Sequence, residues 1–93
     1  MASPMFEYDP DKSAANLAKH GVDFEQAQAL WLDTGRLEIP SDEGAEERWL
    51  VIGKIDDRHW TAVYTMRAGN IRIISVRRSR MNEVKGYGSQ NEN

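Results

Sequence analysis

The sequence predicts an α+β domain with two amino-terminal helices packed on an antiparallel sheet and a short carboxy-terminal helix. Three observations predict it. Helix signals fill residues 9–33, strand signals fill most of 36–80, and paired turn residues cut that second stretch into lengths suited to a meander. The stretch Ile71–Arg80, IRIISVRRSR, is the centre of the pattern. Its β-branched residues Ile71, Ile73, Ile74 and Val76 favour a packed, pleated backbone, and its arginines would stand at a sheet rim.

In chain order, Met5–Tyr8 alternates apolar and polar residues and reads as a first strand. Asp9 is a capping residue, Pro10 suits the first helical position, and Gly21 ends a helix over Pro10–His20. Asp23 and Gln26 resemble a capping box for a second helix that presents Phe24, Ala27, Leu30 and Trp31, stopped by Asp33-Thr34-Gly35. Arg36–Ile39 is the next strand and Pro40–Glu47 an acidic loop. Arg48–Ile55 and Arg58–Arg67 are strands joined by the turn Asp56-Asp57, and Ala68-Gly69-Asn70 turns into the arginine-bearing strand. Ser79 would cap a last helix ending near Tyr87, with Gly88–Asn93 a polar tail. Simple alternation sets Ile71, Ile73, Ser75 and Arg77 on one face of that strand and Arg72, Ile74, Val76 and Arg78 on the other, unless a bulge intervenes.

Ninety-three residues suffice for one domain, expected to span 1–93 with 1–4 and 88–93 loosely held. No apolar run approaches the ~18 residues of a membrane span. Met1–Pro4 has no secretory pattern, and the absence of cysteine is compatible with a reducing, cytoplasmic setting. The net charge of −3 hides an asymmetry. Residues 1–47 carry three Lys/Arg against eleven acids, whereas residues 48–87 carry nine against three. Screening confines each field to about 8–10 Å, so the basic half can attract a polyanion despite the acidic sum.

The residues offer one chemistry and exclude others. Arg77 and Arg78, with Arg48, Arg67 and Arg72 from neighbouring strands, could grip phosphate bidentately. His20, beside Lys19 at a helix end, is a candidate proton carrier or phosphate contact. Glu83 and Tyr87 share a face of the last helix. Trp49, Trp60 and Tyr64 would stack on bases if exposed and fill the core if not. His20 and His59 are too far apart for a local metal motif, and no glycine-rich phosphate loop follows a strand.

Two separated motifs then carry a family resemblance. Asp9–Phe24, DPDKSAANLAKHGVDF, and Arg72–Arg78, RIISVRR, followed by Glu83 and Tyr87, resemble the BrnT family of type II toxins. Arg48 and Gly53 match in the middle strand. The resemblance implies a RelE-like ribonuclease fold and a cofactor-free, metal-independent endoribonuclease that inhibits translation. It also implies a BrnA-like ribbon-helix-helix antitoxin in a heterotetramer, with operator DNA reached only through that antitoxin. The expected mechanism is attack of the ribose 2′-oxygen on the adjacent phosphate. Arg77 or Arg78, with Arg48 and Arg72, would stabilise the transition state; Lys19, His20 or Glu83 would carry protons, and Tyr87 would orient substrate. Arg67, Arg72 and Ser75 are the expected RNA contacts. The alternative expectation is a non-enzymatic corepressor subunit that binds the antitoxin without turnover.

Overall fold

A computed structural model describes residues 5–42 and 47–92. The amino-terminal expectation for Met1–Pro4, and that part of the acidic loop formed by residues 43–46, lie outside the described residues. Five strands form one sheet: β1 (Phe6–Glu7), β2 (Leu37–Ser41), β3 (Arg48–Ile55), β4 (Arg58–Arg67) and β5 (Asn70–Arg78). Their spatial order is β1-β5-β4-β3-β2. The helices are α1 (Pro10–His20), a 3-10 helix (Gln26–Leu32) and α2 (Met81–Gln90).

The hairpins follow from turn chemistry. Asp56 and Asp57 both take positive φ, 50° and 67°, and Ala68 and Gly69 do the same at 52° and 81°. Two consecutive left-handed residues make the turn whose twist matches paired antiparallel strands. β2 runs on through Pro40 and Ser41, which the sequence places in a loop. It is an edge strand, where a residue without an N–H is tolerated.

The expected arrangement of two amino-terminal helices on an antiparallel sheet is incorrect, and the RelE-like fold class tied to it falls with it. The class is α+β, but the sheet is mixed. β1 pairs with β5 in parallel, Phe6 opposite Ile71 and Glu7 opposite Arg72. The second helical segment is a 3-10 helix. Its buried residues Ala27 and Leu30, with Phe24 just before it, recur every third residue, which is the 3-10 repeat and only slightly short of the α repeat. The Asp23–Gln26 capping box does form, each side chain accepting the other residue's N–H at 2.7 and 2.9 Å. The third helix, α2, lies on the opposite sheet face and begins after Arg80, whose N–H donates to Glu83 at 2.8 Å; Ser79 is not its cap.

Cross-strand pairing defines the two faces. Val51, Ala62, Tyr64, Ile73 and Val76 join Phe24, Ala27 and Leu30 in the core beneath α1 and the 3-10 helix. Trp31 packs edge-on against Phe6 at 5.1 Å and Tyr64 at 5.3 Å. Trp60 and Tyr64 are buried and Trp49 packs on the same cluster, so the core reading of these aromatics holds. Asn16, buried in α1, clips the helix to the open edge of β5. Its Oδ1 accepts the Val76 N–H at 3.2 Å while its Nδ2 donates to the Val22 carbonyl at 2.7 Å.

Candidate functional site

The second sheet face carries the candidate site, and a β-bulge builds it. Val63 lies opposite Ser75 but Tyr64 lies opposite Ile73, so Ile74 is an extra residue in β5. A bulge shifts the alternation by one. Arg72, opposite Thr65, and Ser75 and Arg77, opposite Val63 and Thr61, therefore share one face, while Ile71, Ile73, Val76 and Arg78 share the other. Unbroken alternation separates Arg72 from Arg77; the bulge reunites them.

Paired rows run across this face. Ile39, Leu50, Val63 and Ser75 are mutually opposite on β2, β3, β4 and β5 and form an uncharged floor. On one side of the floor Ser41 faces Arg48, and Thr65 faces Arg72. On the other side Leu37, Ile52, Thr61 and Arg77 form a row that α2 crosses. The result is a groove with arginine on both banks. At its α2 end is a cleft of about 250 Å³ lined by Ser41, Asp42, Leu50, Arg77, Arg80 and Glu83. Arg48 is half-buried and its Nε has no hydrogen-bond partner among the described residues. Arg72 makes a loose ion pair with Glu7 at 3.7 Å.

Arg77 and Glu83 form the most ordered part of the site. Arg77 donates from both terminal nitrogens to the two Glu83 oxygens, at 2.8 and 2.9 Å. Glu83 Oε1 also accepts the Arg80 N–H and the Thr61 hydroxyl, the latter at 3.0 Å. Burial alone would raise the Glu83 carboxyl. The Arg77 guanidinium, with the Arg80 and Thr61 donors, overrides it and pulls the group down to about 2. An anion this well satisfied is a poor proton acceptor and a good clamp. It presents a preoriented guanidinium to the cleft, since the Arg77 side chain is still 23% exposed.

A second knot holds the other end of α2. The Tyr87 hydroxyl donates to Asp33 Oδ2 at 2.8 Å. That carboxylate also accepts the N–H of Lys54 at 2.9 Å and, through Oδ1, that of Gly35 at 2.8 Å. Burial works to raise Asp33, but these donors and the Lys54 charge lower it; Tyr87 is raised by burial and by Asp33. His59 packs edge-on against the Tyr87 ring at 5.0 Å. Tyr87 thus fastens the helix through its hydroxyl.

The structure brings together Arg48, Arg72, Ser75, Arg77 and Glu83 of the expected site residues. It separates the rest. Lys19 and His20 line another cleft, between α1 and the edge of β5. Arg78 lies on the core-side face, 5.4 Å from the Trp60 ring. Arg67 is exposed beside the β4–β5 turn, opposite Asn70. Sequence reasoning did not single out Thr61, Arg80 or Asp33 as functional. Arg80 lay in the arginine run and Asp33 in a helix-stop triplet. Only tertiary contacts, such as Asp33 with Lys54 and Tyr87, reveal what they hold.

No helix among the described residues is long and apolar enough to cross a membrane. A comparison with curated proteins found no match. Residues 8–83 match the family model for the ribonuclease toxin BrnT of type II toxin–antitoxin systems. The match spans α1, the arginine-bearing β5 and the clamp through Glu83, and it ends before Tyr87. The chain belongs to the BrnT family of ribonuclease toxins, whose place in a type II system implies an antitoxin partner.

Proposed function

We propose that the grooved sheet face binds single-stranded RNA and cleaves it without a metal ion. The observation that carries this reading is the β5 bulge, which gathers Arg72, Ser75 and Arg77 on one face with Arg48. The apolar floor would take bases or sugars, while the arginine banks would take phosphates. Guanidinium forks match phosphate oxygens bidentately, and the ribose 2′-hydroxyl supplies the nucleophile that restricts cleavage to RNA.

In the proposed reaction the 2′-oxygen attacks the adjacent phosphorus and the bond to the 5′-oxygen breaks. The products are a 2′,3′-cyclic phosphate and a 5′-hydroxyl; the proton lost from the 2′-oxygen is balanced by one gained on the leaving oxygen. Arg77, held by Glu83, would stabilise the charge on the phosphorane-like transition state, with Arg80 beside it. Such a preoriented donor is typically worth about 3–4 kcal/mol. Glu83, pulled down to about 2, serves as the clamp of Arg77. Translation arrest would follow from loss of message. A ribbon-helix-helix antitoxin in a heterotetramer would neutralise the toxin and alone contact operator DNA.

The test is cleavage of end-labelled RNA by substoichiometric protein in excess chelator. Wild type should give cyclic phosphate ends. Arg77→Ala should be slower by about a hundred- to a thousandfold, and Arg77→Lys nearly as impaired because a point charge lacks the fork. A second reading, a non-catalytic corepressor subunit, is favoured by one observation: Glu83 already engages Arg77 at both terminal nitrogens. Binding without turnover would select it.

A further inference from the structure

The groove does not end at the edge of the sheet. Ser75 belongs to its floor, opposite Val63, and also lines a cleft of about 280 Å³ between α1 and the β5 edge. This cleft exists because β1 covers only the first part of β5, at Ile71 and Arg72. Beyond that point α1 takes the place of a strand, held there by the Asn16 clip to Val76. The helix turns Lys12, Lys19 and His20 toward the same cleft, at the i, i+7 and i+8 spacing that stacks residues along one side. Among the described residues none that lines it is a carboxylate, and none of these three side chains joins an ion pair. In a chain of net charge −3, a carboxylate-free cleft with two lysines and a histidine is a local reversal of the field.

We infer that this cleft is a second phosphate subsite, in which Lys12, Lys19 and His20 hold the backbone of the same RNA after it leaves the groove over Ser75. The inference rests on the RNA-cleavage reading and deepens it. It assigns Lys19 and His20 to substrate binding away from the reacting phosphate, and it adds Lys12. The strand spacing of about 4.8 Å sets the scale. From β2 to the β5 edge the path crosses three such intervals, so only an RNA longer than the groove can occupy both places.

The experiment measures binding of 2′-O-methyl RNA, which lacks the proposed nucleophile, by fluorescence anisotropy across roughly 50–200 mM salt. Two lengths are used, about 4 and about 16 nucleotides. The variant Lys12→Gln/Lys19→Gln replaces two exposed side chains. For the longer RNA it should reduce the log–log salt slope by about 0.7 to 1.4, one to two phosphate contacts at ~0.7 each. For the short RNA it should change nothing. Unchanged slopes with the longer RNA, while wild type still cleaves RNA in an Arg77-dependent way, would overturn the subsite and leave the cleavage reading standing. An equal loss with the short RNA would also overturn it, since the lysines would then act within the groove. Wild type that neither binds nor cleaves RNA would overturn both.

Discussion

Glu83 bears on stability as well as on the proposed chemistry. Its carboxylate is held by Arg77, Arg80 and Thr61, and its value falls from the ordinary 4.5 to about 2. A group depressed in the folded state stabilises most above its unfolded value and loses that contribution as pH falls. Glu83 should thus contribute fully above pH 4.5 and nothing near pH 2, a difference on the order of 3 kcal/mol. Glu83→Gln should cost about 2–3 kcal/mol at neutral pH, since it removes a charged acceptor beside Arg77. It should also flatten the acid limb of a plot of denaturation midpoint against pH. Asp33, likewise lowered, should leave a smaller residual limb. An acid limb identical in wild type and variant would show that Glu83 is not the clamp described here. The Arg77–Glu83 pair was foreseeable as two chemical groups six positions apart, though not as partners. Asp33 was not foreseeable at all, because it acts on Lys54 and Tyr87, which lie 21 and 54 positions away.

Among the elements, β5 and the 3-10 helix show where pattern reading stops. Hairpin boundaries at Arg48–Ile55 and Arg58–Arg67 were legible because turn residues are local signals. The bulge at Ile74 was not, since a run of β-branched residues has no mark for an extra position. Its consequence is testable. Arg78 lies on the core-side face over Trp60, so Arg78→Ala should leave cleavage at the wild-type rate while Arg77→Ala slows it by about a hundred- to a thousandfold. The Arg78 variant should lose only about 0.5–1 kcal/mol of stability with its cation–π contact. Equal loss of activity in both would mean that the bulge does not set the reacting face. The 3-10 helix has the sequence pattern of an α-helix because three apolar positions cannot distinguish a repeat of three from 3.6. Gly53 records how closely that helix lies on β3. A methyl group there would stand 3.2 Å from Leu30 Cδ2 and 3.3 Å from Asp33 Oδ2. Gly53→Ala should therefore destabilise by about 1–3 kcal/mol, read as a lower denaturation midpoint.

At the scale of the whole molecule, the parallel placement of β1 and the crossing of α2 over the second face depend on contacts between distant residues, which no local signal encodes. The uneven charge along the chain was legible, and the fold turns that linear asymmetry into a spatial one. Arg48, Arg72, Arg77 and Arg80 gather along the groove, although Glu7, Asp42 and Glu83 stand among them. Net charge alone would have an acidic toxin repel RNA, so kcat/KM would rise as salt screened the repulsion. The local field dictates the opposite sign. With a screening length of about 8–10 Å, acids on remote surfaces count little against guanidinium groups in contact with phosphate. Cleavage should therefore slow as sodium chloride increases, with kcat/KM falling linearly on logarithmic axes. Each phosphate contact should add about 0.7 to the slope for a single strand. Arg48→Ala should reduce that slope by one such step, because Arg48 stands on the groove bank with its Nε unpaired among the described residues. Arg67→Ala, beside the β4–β5 turn, should leave it unchanged. A rate that rises with salt, or one that loses the same slope from Arg67 as from Arg48, would show that RNA is drawn by the average field and not by the groove.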